Sequence, residues 1–342
     1  MAFLAIMCIA YGTTVAGSSI RGGVSTTTPR PSATVAETAL PSCDISQGNW
    51  KEIALEEFET WIESSDLDIN ALRICGSSLL SIAAREDRLD IAELLICSGA
   101  NVEQETLVPA VVNGDMDMVK LLLRNGADIN RIEDNGTTAL SAAVHASSVD
   151  LVNFLIGEGA EVDRGDGVAL AVAAWGGNIE ILDILVRNGA DVNLAGLGEH
   201  PLQIAAWSDA DHREKVYQFL VHSGANVNHT NQRGRGGLAA AAIRGRCDII
   251  EMYLRYGADI HIVDKSGQTL LLMAAKARRA DVVKFLIETG GVDVEVVDNQ
   301  GRNALNIARR DLSQKPTNEG YLTIVRLIED AIAEKANMYV LK

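Results

Sequence analysis

The chain has 342 residues, with 46 Asp and Glu against 30 Lys and Arg and a formal net charge of −16 at pH 7. A field of that sign repels phosphates, which disfavours nucleic acid or an anionic membrane as the main partner and suits a basic or neutral protein surface. Apolar residues make up 47% of the chain but aromatic ones only 4%, so packing rests on Ala, Leu, Ile and Val, and an array of small units is favoured over aromatic-centred globular domains.

In chain order, Phe3 to Tyr11 is a short apolar run followed by the small residues Val15, Ala16 and Gly17. This is the outline of a signal peptide without its basic n-region, and it is too short to span a bilayer. Residues 1–17 are therefore a signal-like segment, and residues 18–45, rich in Ser, Thr and Pro, are predicted to be a disordered leader. The expected compartment is cytoplasmic or nuclear, with secretion as the alternative if residues 1–17 direct export. The five cysteines, Cys8, Cys43, Cys75, Cys97 and Cys247, lack C-x-x-C spacing and read as reduced thiols; export with loss of Cys8 would leave four that could pair.

From Trp50 the pattern becomes helical and self-similar. A Gly-Ala pair followed by Asn, Asp or Glu recurs at Gly99, Gly126, Gly159, Gly189, Gly224 and Gly257, and in altered form at Gly290-Gly291. The intervals are 27, 33, 30, 35, 33 and 33 residues, a spacing that marks stacked structural repeats. About twenty residues before most of these lies a second marker, as in Leu80 to Ala84, Leu140 to Val144, Leu170 to Ala174, Leu202 to Ala206 and Leu271 to Ala275.

The unit ending at Asn193 illustrates the physical content. Ala173 and Ala174 belong to a first helix whose small side chains allow close approach of its neighbours. Gly176-Gly177-Asn178 ends that helix, and Ile181, Ile184 and Leu185 form the apolar face of a second. Gly189 then supplies positive φ past the helix end. One such unit cannot bury its own apolar face, so several must stack.

On these residues the chain resembles the ankyrin-repeat family over about residues 50 to 335. The resemblance implies an all-α solenoid of stacked helix-turn-helix units joined by hairpin loops, spanning residues 46–342 with eight or nine repeats including degenerate caps. Leu55 to Asn70 reads as the second helix of a truncated first repeat. Asn303 to Ala308 opens a last repeat, interrupted by a polar insertion from Asp311 to Gly320 and closed by a charged helix from Tyr321 to Lys335. The family's T-P-L-H tetrapeptide appears only in altered form, as at Thr138 to Ser141, His200 to Gln203 and Gly236 to Ala239. Lower stability per repeat than in consensus arrays is expected.

No catalytic motif is present: there is no H-E-x-x-H, G-x-S-x-G or G-x-x-x-x-G-K-[ST]. The stretch Arg233 to Gly237 has the glycine content of a phosphate loop but falls at an inter-repeat turn, where Gly is ordinary. The six histidines lie in different repeats without ligand spacing, so neither a metal nor a cofactor is expected, and the chain is predicted not to be an enzyme.

In the resembled family, partners are held by the hairpin tips and the exposed ends of the first helices, on the concave face. Those end positions give Trp175 and Trp207 in consecutive repeats, flanked by His145, Ile243 and Arg244. The two indoles are expected to be neighbours and to form a hot spot, unless they fill gaps between repeats or the insertion from Ser208 to Lys215 covers them. Arg233 and Arg235, at a hairpin tip, add cations suited to carboxylates on a partner. The resemblance thus implies a non-enzymatic protein-protein interaction adaptor or scaffold with an unidentified protein partner, no nucleic acid and no small-molecule substrate. The alternatives are a secreted effector-like binder and an accessory subunit of an enzyme assembly. Asn130, Asn193 and Asn228, of a kind that an oxygen-sensing enzyme can hydroxylate in the resembled family, are read here as turn residues.

Overall fold

The computed structural model describes residues 53–64, 68–74, 77–102, 107–133, 135–165, 167–196, 198–208, 210–289, 291–314 and 317–340. The expectations for residues 1–17 and 18–45 lie outside this range. The chain divides into two compact units, one ending at Gly198 and the other beginning at Glu199.

The first unit contains α1 (Leu55–Ser64), then the pairs α2 (Leu79–Arg85) and α3 (Leu89–Cys97), α4 (Leu107–Asn113) and α5 (Met116–Arg124), α6 (Ala139–His145) and α7 (Val149–Gly157), and α8 (Val168–Gly176) and α9 (Ile179–Arg187). Its only described strands are β1 (Arg73–Ile74) and β2 (Ser77–Ser78), an antiparallel pair with Arg73 opposite Ser78. The second unit contains α10 (Pro201–Trp207) and α11 (Ala210–His222), α12 (Gly237–Arg244) and α13 (Cys247–Arg255), α14 (Leu270–Lys276) and α15 (Ala280–Glu288), and α16 (Ala304–Gln314) and α17 (Glu319–Val340). The all-α repeat architecture expected from the sequence is what the chain adopts.

In six of the eight pairs the first helix is mostly buried, α4 and α16 being the exceptions. In α8, Val168 to Ala174 are all buried, and Ala173 and Ala174 are 2% and 0% exposed. Alanine leaves no side chain to separate this helix from the ones beside it, so α8 packs on both α6 and α9. The second helix buries a stripe at i, i+1 and i+4: Ile181, Leu182 and Leu185 in α9, Leu151, Val152 and Leu155 in α7, Ile249, Ile250 and Tyr253 in α13. Ile184, read from the sequence as part of that face, is only half-buried, and Leu182 takes its place. The stripe is set by the partner helix at the flank of the second helix, which the i, i+3, i+4 template does not anticipate.

Two backbone devices repeat. Past the end of α9, Gly189 takes φ +92°, and its amide and that of Ala190 donate to the carbonyls of Val186 and Leu185, which satisfies carbonyls the helix leaves open. At the outgoing turn, Asn130 donates through Nδ2 to the Gly159 carbonyl (3.1 Å) and accepts at Oδ1 from the Glu161 amide (2.8 Å). Asn70 makes the same bridge to Gly99 and Asn101, and Asn228 accepts from the Asp259 amide. At Asn70, Asn130 and Asn228 the side chain ties one repeat to the next.

Two expectations change in detail. The insertion after Trp207 is taken up by α11, which runs for 13 residues where α9 and α13 have nine. Arg213 anchors it by donating to the Ser208 carbonyl at 2.9 and 3.2 Å. The polar insertion of the last repeat begins inside a helix: Asp311 to Gln314 continue α16, because residues 304–314 hold a helical period and contain neither Gly nor Pro.

The turn joining the two helices of a pair also needs a left-handed residue. Gly114, Gly177 and Gly245 fill it with φ of +77°, +77° and +82°, whereas Asp87, Ser147 and Arg278 fill it with φ of +60°, +54° and +61°. A side chain in that conformation costs roughly 1–2 kcal/mol, and a part of this is returned by the lower chain entropy of the unfolded non-glycine residue. Ser147→Gly is therefore expected to stabilise the chain by about 0.5–1 kcal/mol. Urea unfolding should show a higher midpoint at unchanged slope; an unchanged or lower midpoint would mean that the turn is not strained.

Candidate functional site

The ends of the first helices and the hairpin tips are where the repeats leave side chains unused by the core. In the first unit, His145 ends α6 and is exposed, and Trp175 lies in the last turn of α8 and is half-buried. In the second unit, Trp207 ends α10 and is also half-buried. The guanidinium of Arg244, exposed at the end of α12, lies 4.1 Å from the centroid of the Trp207 ring, a cation–π contact. Ile243 is half-buried, and its carbonyl accepts from Nε of Arg279 at 2.8 Å.

The two tip arginines differ. Arg233 is exposed: its amide donates to Oδ1 of Asn231 (2.9 Å), its carbonyl accepts from the Lys265 amide (3.1 Å), and its side chain points to solvent. Arg235 is held across the hairpins. Its Nε and Nη2 donate to Oδ2 of Asp264 at 2.9 and 2.7 Å, and Nη2 also reaches Oε1 of Gln268 at 3.3 Å.

Asp264 is the structural centre of its hairpin. It is buried, and its Oδ1 accepts from the amides of Ser266 (2.8 Å) and Gln268 (2.9 Å). Burial opposes its charge, but the Gln268 amide, the Arg235 guanidinium and the Ser266 amide outweigh that, and the carboxyl sits below the usual carboxylate range. The next hairpin repeats the device with Asp298, which accepts from the Gln300 and Arg302 amides and pairs with the Arg302 guanidinium. Sequence reasoning missed these aspartates as anchors. The signal was an Asp followed by Gly three residues later, Asp264 to Gly267 and Asp298 to Gly301, with φ of +73° and +71° at the glycines.

Helix pairs with small-residue first helices, left-handed turn residues and hairpins that tie each pair to the next define a helical repeat protein. Comparison with known proteins supplies the family. The family model described as ankyrin repeats in three copies matches residues 80–166, 107–196 and 238–333, and the single ankyrin-repeat model matches residues 197–232. The chain belongs to the ankyrin-repeat family. Ankyrin repeats are protein-interaction modules, and this chain is a repeat protein of that kind.

Among its relatives, the ankyrin repeat protein YahD of Escherichia coli is 28% identical over 193 residues, which is 53% of this chain and 94% of YahD. The ankyrin repeat and KH domain-containing protein mask-1 of Caenorhabditis elegans is 32% identical over 229 residues, 62% of this chain but 8% of that protein. An L-asparaginase of Dirofilaria immitis is 29% identical over 184 residues, 52% of this chain and 30% of the enzyme. The chain thus matches nearly the whole of YahD and only a minor part of the two longer relatives. Among the described residues, no helix is long and apolar enough to cross a membrane.

Arg233 and Arg235 should separate cleanly on mutation. Removing Arg235 leaves Asp264 buried without its cation and is expected to cost about 2 kcal/mol, whereas Arg233→Ala should leave stability unchanged. A carboxyl with a depressed folded pKa contributes stability above its unfolded pKa and loses it as pH falls through the folded value. The Arg235→Ala penalty should therefore be full above pH ~4 and shrink below it. Chemical unfolding of both variants at pH 7 and pH 3 checks this, and equal penalties for the two arginines would contradict it.

Proposed function

We propose that this chain is a non-enzymatic adaptor or scaffold that holds a partner protein at the ends of the first helices within each unit. Trp175 and His145 serve this role in the first unit. Trp207 with Ile243 and Arg244 serves it in the second, and Arg233 extends the surface to a hairpin tip that Arg235 braces through its pair with Asp264. The partner is a protein rather than a nucleic acid or a small molecule, and the setting is cytoplasmic or nuclear.

One observation supports this reading above the rest. Trp207 keeps part of its indole exposed while Arg244 lies over the ring at 4.1 Å, and among the described residues no carboxylate pairs with Arg244. An aromatic face and a cation held together on rigid helix ends have the composition of a binding hot spot. The helices that present them are fixed by packing, so little ordering is lost when a partner arrives. An accessible indole can remove on the order of 200 Å² from water on burial.

Affinity capture with mass spectrometry tests the proposal, comparing the wild-type chain with Trp175→Ala/Trp207→Ala and with each single variant. A hot-spot tryptophan is worth ~2 kcal/mol or more, about thirtyfold in affinity. A partner retained by the wild type should therefore be lost from the double variant while thermal unfolding stays comparable. Equal retention by variants of matched stability would remove both tryptophans from the binding site.

A further inference from the structure

Charge is distributed very unevenly along the chain. Residues 1–198 hold 28 acidic and 11 basic side chains, whereas residues 199–342 hold 18 and 19. The overall −16 is thus a property of the first segment, and the second is close to neutral. Within the second unit, five of the cations sit on two turns: Arg244 and Arg246 after α12, and Lys276, Arg278 and Arg279 after α14. Three of the four corresponding turns in the first unit carry no Lys or Arg, being formed around Asn113-Gly114, Ala146-Ser147 and Gly176-Gly177.

These two turns are in contact. Arg279 donates from Nε to the Ile243 carbonyl at 2.8 Å, and its aliphatic stem lies over Gly245, where a Cβ would come within 2.9 Å of Cδ. Arg244 extends the row to the face of Trp207. On the other side, Arg278 and Arg279 line a hollow of about 250 Å³ together with Ala277, Asn318 and Gly320.

Most of these charges are uncompensated. Arg246 is neutralised by Asp248 at 2.7 Å, which also takes Arg213 at 3.2 Å. Among the described residues, no carboxylate lies within ion-pair distance of Arg244, Lys276, Arg278 or Arg279. Arg278 adds a second kind of observation. It has a left-handed backbone, φ +61°, at a turn position filled by Gly114, Gly177 and Gly245 in three other repeats and by the shorter Asp87 and Ser147 in two more, so here the exposed turn position carries a long cation.

We infer that the turns after α12 and α14 form a docking face for an acidic segment of a partner protein, with carboxylates received by Arg244, Lys276, Arg278 and Arg279 and an apolar neighbour laid against Trp207. This rests on the reading of the chain as a protein-binding module and names the chemistry of what it binds. Carboxylates match guanidinium groups in geometry as well as charge. A nucleic acid fits less well, because continuous phosphate binding needs a longer basic track than two turns, and residues 199–342 hold 18 acidic side chains among 19 basic ones. The chain's own residues 1–52, with three acidic and three basic side chains, carry no net negative charge to match it.

The test is fluorescence anisotropy of the full-length chain with a fluorescein-labelled short poly-Glu peptide at low salt. Arg244→Gln/Lys276→Gln/Arg278→Gly should weaken binding roughly tenfold. A control with the same change of charge elsewhere in the second unit, Lys265→Gln/Lys284→Gln/Arg326→Gln, should leave it nearly unchanged. Equal effects of the two sets, or none from either, would overturn the face. A single-stranded DNA oligonucleotide bound as tightly and lost from the same variant would overturn the acidic polypeptide as occupant, and so would a wild-type dimer that the variant dissolves. Arg278→Gly alone should weaken the peptide while raising the melting temperature by ~2 °C; a fall in both would reduce Arg278 to a folding role. Poly-Glu binding that maps to the cationic turns while Trp175→Ala/Trp207→Ala keeps its captured protein would uphold the carboxylate-binding turns and reject Trp207 as their apolar part, together with the tryptophan site. The opposite pattern would do the reverse.

Discussion

No repeat of this chain can bury its apolar surface alone, and the architecture follows from that. Most of the first helices are short and largely buried: six of the seven residues of α6 and six of the seven of α14 are out of solvent. A helix covered on so many sides needs neighbours on either flank, and only the next repeats can supply them. Small residues at the contact are the means. Ala142 and Ala143 in α6, Ala241 and Ala242 in α12 and Ala274 and Ala275 in α14 are all at or near zero exposure. Each additional methylene there would have to be accommodated by a neighbouring helix.

Close stacking in turn restricts where the chain can reverse. The turn inside a pair and the turn after it both use left-handed residues, and the hairpins use a third. At the hairpins the solution is glycine with an aspartate or asparagine behind it, as in Asn231 to Gly234 and Asp264 to Gly267. At the intra-pair turn the family of solutions is wider, since Asp87, Ser147 and Arg278 stand where other repeats have glycine. That position faces outward, away from the helices it joins. A side chain placed there can carry function without disturbing the stack, and the repeats differ there in charge more than anywhere in the core.

Much of the fold was legible in the sequence because its constraints are local. The Gly-Ala pairs mark second-helix ends, since only a residue tolerant of positive φ can follow the helix. The paired alanines mark first helices, since only small residues permit the approach. What was not legible depends on contacts between distant residues. Arg235 reads as a surface cation until its partner Asp264 is seen 29 residues away, and nothing local distinguishes it from Arg233 two residues earlier. The same holds for the reach of α11 and α16, where insertions that look like loops are absorbed into helix. Trp175 and Trp207 were placed correctly at first-helix ends by counting from the alanines. Their half-burial and the Arg244 stack on Trp207 depend on neighbours the count does not see.

Net charge was the least informative whole-chain quantity, for a reason of scale. Screening limits electrostatic influence to about 8 Å at physiological ionic strength, so a partner responds to the charges on the turns it touches and not to the sum over 342 residues. The turns after α12 and α14 carry four cations that have no carboxylate partner among the described residues, while the hairpin cations Arg235 and Arg302 are spent on Asp264 and Asp298. The distinction between the two sets is burial of the acid. Asp264 and Asp298 are 5% and 4% exposed, and a buried carboxylate requires its cation at all times. Among the described residues no buried acid stands behind Arg244, Lys276 or Arg278, so their charge is not committed to the fold and is left available at the surface.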